Sequence, residues 1–266
     1  MDLELKGRVA VVTGGSRGIG KAVARQLALE GVDVAIVART RETLEAVAKD
    51  LAGETGRRIL AVPADTGDDA AVRAMAQRVA QELGRIDILV NSAAKPGGQG
   101  RPPTLDEVTD ALVWEDFNIK VMGYLRTARA VAPYMKERKW GRIINISGLA
   151  ARQTGSLVGS MRNVSVAALT KNLADEFGPH GINVTVIHPG TTRTEATPRV
   201  ISEGAKGRGI TEQEMERRMA SNNVVQRLID AAEIAYIVAF LASPKSVAIT
   251  GDAIAAGGGA PKAIYY

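Results

Sequence analysis

The chain has 266 residues, with 34 Lys and Arg against 29 Asp and Glu for a net charge of +5, and it holds 28 Gly, 2 His and no Cys. The lack of cysteine excludes disulfides, thiolate metal sites and a cysteine nucleophile, and two histidines (His180 and His188) exclude a histidine-rich zinc site. The length suits one large domain or two small ones, and 45% hydrophobic with 24% charged residues is the balance of an ordinary globule able to bury a core.

The segment RVAVVT (8–13) reads as a strand, followed by a helix over 18–30. VDVAIVA (32–38) is a second strand, with a helix over 42–51. RILAVPAD (58–65) and a helix near 69–83 come next, then the apolar strand IDILVNSA (86–93). PGGQGRPP (96–103) is a loop by its Gly and Pro content. A long helix is expected over 114–137, a strand over 141–147, a helix over 159–177 and a strand over 182–190. A helix near 230–242 and a strand around 247–255 end the pattern. Continuously apolar strands alternating with helices imply a parallel sheet with helices on both faces. Right-handed crossovers then leave a doubly wound, Rossmann-type α/β sheet in a single domain over 1–266. Residues 192–226 interrupt the alternation; they are polar, contain Gly204, Gly207 and Gly209, and read as a substrate lid, with a plain surface excursion as the alternative.

The longest apolar stretch within a helix, 234–242, falls far short of the roughly 20 residues of a membrane span. The N-terminus lacks the basic and apolar regions of a signal peptide, which points to the cytoplasm. The basic residues are interspersed with acids and aromatics are 4%, so nucleic acid is not an expected partner.

Glycine is about one residue in ten, above the usual roughly 7%. Part of the excess lies in Thr13-Gly14-Gly15-Ser16-Arg17-Gly18-Ile19-Gly20, between the first strand and the first helix. There glycines permit a tight turn and close approach of a diphosphate to the N–H groups of the helix N-terminus. This turn resembles the TGxxxGxG of the short-chain dehydrogenase/reductase family, and the likeness extends over nearly the whole chain. Asp65 matches the acid that holds the adenine amine. Asn91-Ser92-Ala93-Ala94 stands where the family has NNAG, and Pro189-Gly190-Thr191-Thr192-Arg193-Thr194 matches its nicotinamide-carboxamide segment. The resemblance implies cofactor contacts from Gly14, Ser16, Arg17, Gly18, Ile19 and Gly20, from Arg39, from Asp65 and Thr66, from Asn91 and Ala93, and from Pro189, Gly190, Thr192 and Thr194. The second strand ends in Ala38-Arg39-Thr40-Arg41, with no acid for a ribose 2′-OH. Arg39 with Arg17 instead suits a 2′-phosphate, so NADP(H) is expected over NAD(H).

The family's mechanism uses a Tyr and a Lys four residues apart, a Ser after the fifth strand and an Asn in the preceding helix. Here Gly148 takes the place of the serine, with Ser147 beside it as a hydroxyl or a strand-end backbone partner. Counting back from Leu169 puts Gly159 at the Tyr position and Asn163 at the Lys position; counting forward from Gly148 gives Met161 and Ser165. Gly123 and Pro133 place Lys120 at the Asn position, with Asn118 on another helix face. Glycine has no proton to donate, so the tyrosinate route is not expected. Lys120, Ser147 and Asn163 are the candidate catalytic residues; a desolvated Lys120 would be an acid, and Asn163 would hold ribose hydroxyls. Arg152 and Arg162 flank the expected pocket, as anion binders or as surface residues, and Met161 is pocket wall or packing. A tyrosine of the Tyr265-Tyr266 tail entering from a neighbouring subunit is one further proton source.

The expected function is thus an NADP(H)-dependent oxidoreductase with a non-standard site, reducing an activated C=N, C=C or C=O bond of a small molecule. The alternatives are a lyase or hydrolase on the same fold, or an NADP(H)-binding protein without turnover. The resemblance also implies a homotetramer or homodimer built on the helices over 114–137 and 159–177.

Overall fold

The structure, a computed structural model, describes residues 1–95 and 101–261. Five β-branched or small apolar residues make β1 (Val9–Thr13) buried along its whole length. The glycine turn then opens α1 (Gly18–Leu29), which lays Val23, Ala24 and Leu27 on the sheet. The same unit repeats as β2 (Asp33–Ala38), α2 (Arg41–Thr55), β3 (Ile59–Pro63), α3 (Asp69–Leu83) and β4 (Ile88–Asn91). Asp68 caps α3 by accepting from the amides of Ala70 and Ala71. The second half runs α4 (Asp110–Phe117), a π-helical turn (Asn118–Met122), α5 (Gly123–Arg138), β5 (Gly141–Ile146), α6 (Leu157–Phe177) and β6 (Ile182–Pro189). A two-residue strand β7 (Thr192–Arg193), helices α7 (Thr197–Lys206) and α8 (Glu212–Ala220), and a two-residue strand β8 (Ile229–Asp230) follow. Then α9 (Ala231–Ala242) and β9 (Ala253–Ala256) close the fold.

Among the described residues the main sheet has seven strands, all parallel, in the order β3-β2-β1-β4-β5-β6-β9. On one face α1, α2 and α9 cover Ala10, Val12, Ile36 and Ile144. On the other, α3, α5 and α6 cover Val11, Leu89, Ile143 and Val184. The chain leaves β1 toward β2 and returns to the other side of β1 with β4, so strand order reverses there. The carboxyl ends of β1 and β4 at this switch point are where such sheets bind ligands, in the crevice between the diverging connections. No described helix is long and apolar enough to cross a membrane.

The expected doubly wound sheet is present, with three local differences. The single helix expected over 114–137 is two helices joined by the π turn that carries Lys120. The 192–226 segment contains a full helix, α7, that the polar composition concealed. The last strand begins at Ala253, not 247: Ser243 caps a 3₁₀ turn (Pro244–Ser246), Val247 is exposed, and Gly251 turns at φ +74° before pairing starts.

Candidate active site

The turn after β1 is closed by backbone contacts that admit no side chain. A Cβ on Gly14 (φ +68°) would lie 2.9 Å from the Ser92 carbonyl oxygen, and one on Gly20 2.3 Å from that of Gly14. Thr13 Oγ1 accepts from the amides of Ser92 (3.1 Å) and Ala93 (3.2 Å), fixing the end of β4 to the end of β1. Helix α1 starts without a side-chain cap on Arg17 and without an acid in its first turn. Its leading N–H groups therefore need an acceptor from elsewhere. The Gly18 N–H finds one in Glu195 Oε1, at 2.7 Å, 177 residues along the chain. A carboxylate on this amide shows that the turn holds anions, and the turn therefore fits a diphosphate.

The other segments converge on the same crevice. A Cβ on Gly18 would touch Thr194 Cγ2 at 3.7 Å, so the segment after β6 lies directly over the glycine turn. Thr192 Oγ1 donates to the Gly190 carbonyl at 3.1 Å, and Gly190 packs so tightly that a Cβ would lie 2.9 Å from Gly257 Cα. Ser16 and Ile19 are half-buried and Arg17 between them is exposed, as is Arg39, the residue directly after β2. Asp65 is exposed after β3, with Oδ1 accepting from Gly67 N at 2.8 Å, and Thr66 is buried below it. Asn91 ends β4 inside a buried polar chain. Thr127 Oγ1 donates to its Oδ1 at 2.7 Å, its Nδ2 donates to Asn145 at 2.9 Å, and Asn145 donates to Thr170 at 2.9 Å.

At the ends of β5 and β6 the candidate catalytic side chains meet. Lys120 is 4% exposed, and its Nζ donates to the Ser147 carbonyl oxygen at 2.9 Å. Burial first, then the neighbouring Arg162 guanidinium, bring its pKa down from 10.5 to about 7, against the pull of Asp116. Ser147 is committed elsewhere: its hydroxyl donates to the Asn163 carbonyl at 3.1 Å. Gly148 has φ 172°, an extended conformation open to any residue, so glycine is not required there by the backbone. What a side chain would meet is Asn163, whose Nδ2 lies 3.1 Å from the place of a Cβ. Asn163 is 3% exposed and its Oδ1 is buried without a hydrogen-bond partner.

Of the two sequence registers, counting back from Leu169 is the one that brings side chains to Gly148. Asn163 is buried there, Met161 is 46% exposed, and Ser165 donates to the Met161 carbonyl on the outer side. Gly159 lies in the first turn of α6, where Ser156 caps its amide at 3.2 Å; a Cβ would stand 2.6 Å from the Ser156 hydroxyl. Asn118 is turned away from the site. Its Oδ1 accepts from Arg126, and its Nδ2 lies 3.5 Å from the Gly67 carbonyl. Arg162 is buried to 11% side-chain exposure and paired with Asp116 at 2.5 Å, so it is a buried ion-pair member and not a surface residue. Half-buried Arg152 donates to the Ala253 carbonyl at 2.9 Å. Tyr265 and Tyr266 lie outside the described residues.

Two neighbours escaped the sequence reading. His188, 1% exposed on β6 one residue before Pro189, is the next residue after the Ile146–Ile187 pair and so stands beside Ser147. Its Nδ1 is buried without a partner, and burial together with Arg152 and Lys120 lowers its pKa to about 4, which keeps it neutral near pH 7. Tyr124 is buried with its hydroxyl on the Ile146 carbonyl at 2.8 Å, and burial raises its pKa far above the ordinary value. It anchors α5 to β5 and holds its proton.

The short chain dehydrogenase model matches residues 8–204, from β1 into α7. The chain belongs to the short chain dehydrogenase family. Among similar family members is the NADPH-dependent reductase BacG of Bacillus subtilis (strain 168), 32% identical over 260 residues, 97% of this chain and 99% of that one. The short-chain reductase protein NovJ of Streptomyces niveus is 35% identical over 255 residues, 95% of this chain and 94% of that one. A crystal structure of L-sorbose reductase from Gluconobacter frateurii, complexed with NADPH and L-sorbose, superposes with a TM-score of 0.93 at 30% identity, covering 99% of this chain and 100% of that one. The superposition covers the whole of the sheet described above.

Proposed function

We propose that this short chain dehydrogenase is an NADP(H)-dependent reductase whose buried Lys120 takes over the charge and proton that the family draws from its Tyr and Lys pair. The observation that carries the reading is the Lys120 ammonium, desolvated and held 2.9 Å from the Ser147 carbonyl beside Gly148 and Asn163. NADP(H) as cofactor is supported by the NADPH-dependent relatives and by a strand β2 that is followed by Arg39 and not by an acid. When bound, the cofactor supplies the hydride. Arg39 and Arg17 would receive the 2′-phosphate, Asp65 and Thr66 the adenine end, and Gly14 to Gly20 the diphosphate. Asn91, Ala93, Pro189, Gly190, Thr192 and Thr194 would frame the nicotinamide end.

Relative to the family pattern, lysine and asparagine have changed helices: Lys120 enters from the π turn before α5, and Asn163 from α6. The amide of Asn163, with its unpartnered Oδ1, would accept from a ribose hydroxyl. Lys120, near neutrality in pKa, would give a proton to the substrate atom that gains the electron pair as hydride arrives. A lysine acid without a tyrosine suits a substrate already electrophilic: an iminium ion, an activated alkene or an activated carbonyl. The two helices of the 192–226 insertion, α7 and α8, would cover that substrate as a lid. Exposed Trp114, Leu157, Met161 and Val164 on α4 and α6 support a homodimer or homotetramer through these helices.

The test is loss of NADPH absorbance with matched imines, enones, quinones and ketones. Turnover of an imine or enone that Lys120→Met abolishes, with NADPH binding retained, is the expected result. Tight NADPH binding with no hydride transfer to any of them would refute the reductase reading and leave a binding protein or a non-redox enzyme.

A further inference from the structure

Glu195 sits between two residues of the nicotinamide segment and the start of α7, yet its carboxylate is directed across the crevice onto the glycine turn. Gly18 is the first residue of α1, whose N–H has no intrahelical acceptor. Glu195 Oε1 takes that N–H at 2.7 Å. The turn that carries Glu195 is held on both sides. Thr194 N donates to Thr197 Oγ1 at 2.8 Å, Thr197 N donates to the Thr194 carbonyl at 3.0 Å, and Ala196 N donates to Thr194 Oγ1 at 3.3 Å. The glutamate thus projects from a fixed loop into the place where a diphosphate oxygen would bind. One N–H cannot serve a carboxylate and a phosphate oxygen at this distance, and two anions there repel.

We propose that Glu195 is a built-in competitor for the diphosphate subsite, so that NADP(H) binds only as this side chain is expelled. Expulsion acts on the chain's own geometry. The 194–197 turn is continuous with β7, where Arg193 pairs with Glu216 of α8 and lies 3.5 Å from Asp230, and with the first turn of α7. Cofactor binding is thereby coupled to the position of the α7–α8 insertion, and Glu195 sets how tightly the cofactor is held. The claim concerns this chain's carboxylate and stands whether or not Lys120 is the proton donor.

The experiment measures NADPH dissociation constants by fluorescence for the parent, Glu195→Gln and Glu195→Asp, with thermal unfolding in parallel. A carboxylate at a helix N-terminus is worth enough that its removal should tighten NADPH roughly 3-fold to 30-fold. Glu195→Asp keeps the charge but is one methylene too short for Gly18, and should also tighten NADPH. Adenosine 2′-monophosphate, which has no diphosphate, should bind parent and variants within about 2-fold. Without NADPH both variants should unfold at a lower temperature than the parent, and the gap should close at saturating NADPH. Unchanged or weaker NADPH binding by Glu195→Gln would overturn the proposal. So would equal tightening of adenosine 2′-monophosphate, which would mark a general charge effect and not competition at one amide.

Discussion

A lysine ammonium buried to 4% exposure is a cost that the fold would shed if stability alone chose the residue. Replacing Lys120 by methionine, of similar length and without charge, isolates that cost. In the folded chain the Lys120 pKa falls from 10.5 to about 7. Below pH 7 the group is protonated in both the folded and the unfolded chain, and the folded state bears the full penalty. Between pH 7 and 10.5 the unfolded chain binds more protons than the folded one, so stability rises with pH. Above 10.5 the penalty is gone. At ~1.4 kcal/mol per pKa unit, the penalty is at most about 5 kcal/mol at pH 6 and about 2 kcal/mol at pH 9. Against it stands the bond to the Ser147 carbonyl, worth about 1.5 kcal/mol or more to a charged donor. Lys120→Met should therefore be more stable than the parent at pH 6 by roughly 3 kcal/mol, with the advantage nearly lost at pH 9. For a chain of this size each kcal/mol moves the melting temperature by about 2 °C. Calorimetric melting of parent and variant at matched pH between 6 and 9 should show a difference that shrinks by about 6 °C over the range. Other titrating groups cancel in the difference. A constant difference across pH, or a variant less stable than the parent at pH 6, would refute the claim that a desolvated ammonium sits at this site.

Two further predictions concern the cofactor crevice. Arg39→Asp should weaken NADPH about 10-fold to 100-fold, the worth of a charge-assisted phosphate contact, and move preference toward NADH; dissociation constants for both cofactors would show it. Gly20→Ala should cost more than about 3 kcal/mol in urea unfolding, because its Cβ would stand 2.3 Å from the Gly14 carbonyl and only backbone can yield.

The sheet was legible because its strands are rich in β-branched and apolar residues, and in β1 and β5 every residue is buried. The glycine turn was legible because tight backbone leaves no alternative residue. Gly123 and Pro133 set the register of Lys120 in the sequence, but the π turn around it was not visible, since nothing in NIKVM separates π from α spacing. Helix α7 did carry a signal. Thr197, Ile201 and Ala205 are buried at spacing four, but Gly204 and the polar residues between them drew attention away. The Arg162–Asp116 pair and the Glu195–Gly18 bond join residues 46 and 177 positions apart, and spacing along a chain cannot show either. His188 was weighed only as a missing zinc ligand; its place before Pro189-Gly190 was the available clue.

The proposed exchange of lysine and asparagine between helices makes a prediction that separates charge from position. In the parent, one ammonium, that of Lys120, serves the site, with Arg162 already lowering its pKa and Asp116 the carboxylate that opposes this. Asn163→Lys alone would add a second ammonium against the same Ser147–Gly148 segment. At roughly 5 Å and an effective dielectric constant of about 20, two such charges repel by about 3 kcal/mol. Lys120→Asn alone removes the cation and its bond to the Ser147 carbonyl. The double variant Lys120→Asn/Asn163→Lys again has one cation, now carried by α6. Its stability at pH 5, two units below the Lys120 pKa, where shedding that proton to relieve the repulsion costs about 2.7 kcal/mol, should exceed the sum of the single effects by more than about 1 kcal/mol, a coupling expected of residues that share a site. Urea unfolding of the four proteins measures it. Additive effects, within about 0.5 kcal/mol, would mean that the two side chains do not share one site and that Lys120 cannot stand in for a lysine on α6. Strong coupling would mean that the ends of β5 and β6 accommodate one ammonium at a time, whichever helix delivers it.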